Sequence, residues 1–130
     1  MSLLSRRLAT LTLGALSVIA VLSIPSLATQ VVRHPSRVTI SEKAPAFHGR
    51  VHSNAHPCVQ HRKVTLFRAR PHRRDKVLRR DQTNNHGRWQ MIVNPLKSGA
   101  YYAKVSRRSE GTAGTIHICV KDRSRIVPVD

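Results

Sequence analysis

Acidic and aromatic side chains are what this sequence has least of. Six Asp and Glu stand against 23 Lys and Arg in 130 residues. The acids, Glu42, Asp75, Asp81, Glu110, Asp122 and Asp130, are scattered singly, most of them in turn-rich stretches beside Arg or Lys that keep them ionised. Paired carboxylates for general acid–base work are therefore missing. No serine sits in a Gly-x-Ser-x-Gly elbow, and none of the six glycines builds a phosphate-cradling loop. These absences argue against an enzyme, and no cofactor is implied. Five aromatics in all, one Trp, two Tyr and two Phe, are too few to interleave a basic stripe with stacking platforms. Of the basic-stripe neighbours only Phe67 and Tyr102 could stack, which disfavours nucleic acid as the partner. Beyond the first 28 residues no segment holds helical periodicity for more than one turn.

The one long apolar run lies at the start. Arg6-Arg7 precedes a stretch from Leu8 to Ile24 rich in Leu, Ala, Val and Ile, and Pro25-Ser26-Leu27-Ala28 supplies a helix breaker and small residues. That is the order of a secretory signal peptide, with cleavage expected after Ala28. The alternative is a retained N-terminal membrane anchor, since Leu8 to Leu27 approaches the ~20 residues that span a bilayer. Thr10, Thr12, Gly14, Ser17 and Ser23 make it a poor span. The expected division is thus residues 1–28 signal peptide, 29–36 linker or edge strand, and 37–130 one domain, secreted or extracellular.

Removing the leader takes 17 hydrophobic residues and leaves 35 in 102, a lean core for a domain of this size. Cys58 and Cys119 both fall in the exported part, and an even count in an oxidising compartment argues for one disulfide between them. Two buried thiols or a metal site are the other readings. Net charge is +17, or +15 without Arg6 and Arg7. Such an excess predicts salt-sensitive attraction to polyanions: anionic cell-wall polymers, acidic polysaccharide, lipid head groups or nucleic acid. The densest run is Arg68, Arg70, His72, Arg73, Arg74, Lys76, Arg79 and Arg80, and it is the candidate polyanion-binding segment. The bland counterpart is a solvated charged surface without a particular partner.

Short β runs separated by turn residues follow residue 36: 37–41, 47–52, 63–70, 76–83, 88–93, 100–107, 115–120 and 124–129. Alternation puts Phe47, Gly49 and Val51 on one face of their strand. It likewise groups Trp89, Met91 and Val93; Tyr101, Ala103 and Val105; and Ile116, Ile118 and Val120. Tyr102 and Lys104 point the opposite way. Asn84-Asn85-His86-Gly87 is expected to close a hairpin, because Asn and Gly tolerate positive φ. Residues 71–74 and 97–99 are further connections, and Glu110 to Gly114 reads as a flexible loop. The fold expected is all-β: a single β-sandwich of seven to eight strands.

Gly49-Arg50-Val51, Val64-Thr65-Leu66, Thr83-Asn84-Asn85-His86-Gly87-Arg88-Trp89 and Gly99-Ala100-Tyr101-Tyr102-Ala103-Lys104-Val105 occur in this order. Together they resemble the motifs of carboxypeptidase-regulatory-like domains, which share a transthyretin-like (prealbumin-like), Greek-key, Ig-like β-sandwich with adhesin stalk modules. The resemblance spans about residues 47–107 and implies a non-catalytic accessory or surface domain in which glycine turns the chain and tyrosine anchors a strand. Two departures stand out. Arg62-Lys63 replaces a small Gly-Ala pair, and a cysteine-bearing basic segment is added near Cys119. Some stalk modules carry a Lys–Asn isopeptide bond; with Asn54, Asn84, Asn85 and Asn94 all outside the last strands, none is expected here.

Histidine offers the rival function. His48, His52, His56 and His61 surround Cys58 within 14 residues, donors suited to zinc or copper. On one strand His48 and His52 would stand about 13 Å apart at ~3.3 Å per residue, too far to share an ion without a bend. An extracellular metal-binding protein using His52, His56 and His61 is thus the alternative to a polyanion binder. A purely structural module is the third.

Overall fold

The computed structural model describes residues 20–23 and 29–130. The expected signal peptide therefore lies almost wholly outside the described residues, and no helix among them is long and apolar enough to cross a membrane. In chain order the strands are β1 Gln30–His34, β2 Ser36–Val38, β3 Ser41–Lys43, β4 Ala46–Ser53, β5 Lys63–Ala69, β6 Lys76–Gln82, β7 Arg88–Ile92, β8 Gly99–Val105, β9 Arg108–Thr112, β10 Thr115–Cys119, β11 Asp122–Arg123 and β12 Val127–Val129. A single 3-10 turn, His56–Cys58, interrupts them. The fold is all-β and is not a closed barrel.

Two sheets face each other. One holds β4 with β7 along one edge and β2 and β3 in succession along the other. The second runs β11-β8-β5-β6, with β12 also on β8. Alternation explains the core between them. Phe47 and Val51 of β4 and Trp89 and Met91 of β7 meet Val64 and Leu66 of β5 and Tyr101, Ala103 and Val105 of β8. The Phe47 and Tyr101 rings stack across the gap at 4.8 Å between centroids. Gly49 faces Trp89 in the β4–β7 register. A Cβ there would overlap the Thr39 carbonyl oxygen and stand 2.9 Å from the indole, so only glycine fits.

Several sequence expectations are corrected. Residues 37–41 do not form a single strand but span the end of β2 and the start of β3, and within 124–129 only Val127–Val129 is strand, β11 ending just before it. The segment 29–36 carries β1. The tight turn at Asn84–Gly87 forms, with Gly87 at φ 78° and the Asn84 side-chain oxygen accepting from the His86 and Arg88 amides. It does not close a hairpin, because β6 pairs with β5 and β7 with β4, in opposite sheets. Side chains link the two instead. Arg79 Nη1 donates to the Ile92 carbonyl at 2.8 Å, and the Gln90 amide donates to Asp81 at 3.3 Å. Paired with β4, β7 turns Trp89 and Met91 into the core, toward β5 and β8 of the opposite sheet. Glu110 to Gly114 is no loop: β9 and β10 make an antiparallel hairpin turning at Gly114, φ 76°. Ile116, expected in the core, is 37% exposed on it.

That hairpin and β1, parallel to β10, form a third small sheet. Its anchor is the Cys58–Cys119 disulfide, which ties β10 to the 3-10 turn after β4 with Cα atoms 5.2 Å apart. Arg108 reinforces the joint. Its guanidinium donates to the carbonyls of Pro57, Gln60 and His61 and pairs with Glu110 at 2.9 Å.

Arg62 lies fully buried beneath this joint. It donates to the Cys58, Ser106 and Val120 carbonyls at 2.7, 2.8 and 3.2 Å and to Ser36 Oγ at 2.9 Å, with no carboxylate in the set. Burial, and then the charge of Arg108, pulls its pKa down to about 10, which leaves it cationic at neutral pH. The arginine that departs from the resemblance is therefore an interior hub. It gathers the ends of four chain segments.

Candidate polyanion-binding surface

The β5–β6 hairpin positions the basic run. Antiparallel register pairs Thr65 with Arg80, Leu66 with Arg79, Phe67 with Val77 and Arg68 with Lys76, with a bulge that skips Leu78. Because paired residues share a face and neighbours alternate, the run does not form one continuous patch. Arg68, Lys76 and Arg79 turn toward the gap between the sheets. There they line a cleft of about 510 Å³ with Lys97 and Tyr101, and no acid lines it. Lys97 comes from the connection before β8, where its carbonyl accepts the Tyr101 hydroxyl. Nothing in the sequence around Lys97 marks it as a partner of a strand some 20 residues earlier; only the sandwich brings it there.

Arg70, Arg73 and Arg74 lie in the β5–β6 connection. Arg70 Nε donates to the Arg74 carbonyl at 2.9 Å and the Arg70 amide to Asp75 at 3.3 Å, which folds this turn on itself and leaves Arg73 and Arg74 exposed at its tip. Arg80 faces away from the cleft, on the outer side of the five-stranded sheet with Thr65.

Asp75 is the one acid inside the run, and it is engaged. Its carboxylate accepts the Tyr102 hydroxyl. That hydrogen bond first, the Arg70 amide second, and the charges of Arg123 and Lys104 hold its pKa below the usual carboxylate range. Burial, then Asp75, pushes the Tyr102 phenol up to about 12. Among the described residues the only ion pair is Arg108 with Glu110, so the cations of the cleft carry no internal counter-charge.

The histidine-rich segment is laid out differently from a metal site. Cys58 is bonded to Cys119 and offers no thiolate. His48 and His52 lie on β4, His56 in the 3-10 turn and His61 beyond it at φ 51°. Burial, then Arg37 and Arg50, lowers the His52 pKa. No group of three or more His, Cys, Asp or Glu among the described residues is placed to hold one ion. The histidines that do meet are His34 and His117, ring nitrogens 2.9 Å apart, with His34 also bonded to Asn54. Their contact arises from the parallel pairing of β1 with β10, which sequence spacing does not reveal.

Comparison with protein-family models, with curated proteins and with solved structures finds no match.

Proposed function

We propose that this is an exported, non-enzymatic β-sandwich module of the carboxypeptidase-regulatory-like, transthyretin-like kind that adheres electrostatically to polyanions of the cell envelope. The observation that carries the reading is the cleft of Arg68, Lys76, Arg79 and Lys97, four cations around about 510 Å³ without an acid. In a chain of net charge +17 that cleft concentrates positive potential between low-dielectric walls, where field lines focus. A polymer lying in the cleft meets all four cations, whose attraction is screened by salt. The leader sequence and the disulfide support an oxidising, extracellular setting.

Binding to a sulfated or phosphorylated polymer at several salt concentrations tests the reading. Affinity should fall steeply with salt, and R68Q/K76Q/R79Q/K97Q should flatten the slope of log K against log salt by about three, at roughly 0.7–0.9 for each polymer charge no longer neutralised. A salt-independent affinity, or an unchanged slope in the variant, means that the charge is solvated surface only.

A further inference from the structure

Opposite the cleft, on the outer face of the five-stranded sheet, the register assembles a second set of cations. Arg123 of β11 pairs with Lys104 of β8, Lys104 with Thr65 of β5, and Thr65 with Arg80 of β6. This row crosses four strands, three spacings of about 4.8 Å, so its ends stand about 14 Å apart. Lys63, two residues before Thr65 on β5, lies on the same face. No continuous sequence run announces the row, because each strand contributes one residue to it.

Two of these cations are held rather than free to sweep solvent. The Phe67 and Tyr102 rings stack nearly parallel, 5.2 Å between centroids. Lys104 Nζ sits 5.1 Å from the Phe67 ring centre, and the Arg123 guanidinium 3.9 Å from that of Tyr102. Cation–π contact fixes both groups, and among the described residues neither forms an ion pair. A fixed cation loses less conformational entropy when an anion docks than an ordinary surface lysine does. Two acids stand beside the row, Asp75, whose carboxylate feels the charges of Arg123 and Lys104, and Asp122. Asp122 pairs with Val105, on the core side, and accepts the Val38 amide at 2.9 Å. Asp75 is bonded to Tyr102. Arg107 and Lys121 join Lys104 and Arg123 around a cleft of about 590 Å³, four cations against the single acid Asp122.

We infer that this outer face is a second polyanion-binding surface, so that one domain holds two polymer chains, one on each side of the five-stranded sheet, and bridges them. The inference rests on the polyanion reading above and adds to it a cross-linking role. The ligand chemistry is a chain of repeating sulfate, phosphate or carboxylate groups on a saccharide or polyol backbone. Nucleobases are disfavoured because the only two aromatics on this face stack on each other and are capped by Lys104 and Arg123. They leave no open platform of the kind that base stacking requires.

A sandwich assay separates the two claims. The protein is loaded onto immobilised dextran sulfate, washed, and offered labelled dextran sulfate or labelled long-chain polyphosphate in solution. Wild type should bind the first chain and capture the second. R80Q/K104Q/R123Q should still bind the first chain through the cleft but lose about ten-fold in second-chain capture, since three counterion-releasing cations are gone. The charge-conserving K104R/R123K should restore capture, and near-ultraviolet circular dichroism checks that the folds match. Capture by the triple variant equal to wild type overturns the second surface, whether chains are then joined by the cleft alone or by self-association. Capture of labelled single-stranded DNA in preference to dextran sulfate overturns the assigned ligand class. Failure of wild type to bind even the first chain sinks the polyanion reading itself, and the bridge with it.

Discussion

Replacing Arg62 by methionine tests the most unusual feature of the interior. The substitution keeps a long, flexible stem but removes a guanidinium that satisfies the Cys58, Ser106 and Val120 carbonyls and Ser36 Oγ. Orphaning a buried acceptor costs about 1–3 kcal/mol. The bond to the Cys58 carbonyl is buried and takes the full figure, whereas the other three are only partly buried and admit water. Against this, the variant no longer holds a desolvated charge lacking a carboxylate partner, a penalty already visible in the lowered pKa. The balance is a net loss of about 3 kcal/mol, or a fall in melting temperature of about 12–24 °C at 4–8 °C per kcal/mol for a domain of this size. Urea titration and calorimetry on the purified protein measure it. Arg62→Lys should lie between the two, because an ammonium keeps the charge but lacks the planar fork that reaches several acceptors at once. A loss below about 1 kcal/mol with an unchanged denaturant slope would refute the hub, since the four segments would then be held by packing alone.

Two further outcomes follow from the same interior. Cys58→Ser should cost about 4 kcal/mol, the chain-entropy value for a loop with a sequence separation of 61; non-reducing mass spectrometry of wild type should show the loss of two hydrogens, and two freely alkylated thiols would contradict the structure. The Tyr102 phenol sits above its ordinary value, so its hydrogen-bonded, protonated form contributes stability that is complete below about pH 10 and is lost as pH climbs toward about 12. Alkaline melting curves of wild type and Tyr102→Phe should therefore draw together over that window, and a tyrosinate absorbance step for Tyr102 at the ordinary tyrosine value would contradict the proposed contact with Asp75.

Features that depend on local period and composition could be read from the residues alone. Strict alternation at Phe47-Gly49-Val51 and Tyr101-Ala103-Val105 marked strands and the faces they turn to the core. The count of two cysteines made one disulfide the expected reading, and the structure joins Cys58 to Cys119. The excess of Lys and Arg set the sign of the field. Tertiary structure alone decided how these parts combine. A tight Asn-Gly turn fixes a reversal but not the sheet that receives the next strand, and β7 crossed over to pair with β4, from where Trp89 and Met91 reach the core. Position in a charge run gives no face, so Arg79 entered the cleft while its neighbour Arg80 joined Lys104 and Arg123, residues from distant strands, on the opposite side. In the sequence Arg62 stood out only as part of the pair that departs from the resemblance. Its burial depends on carbonyl groups from separate segments that converge only once the disulfide and the third sheet are in place, a convergence no linear spacing encodes.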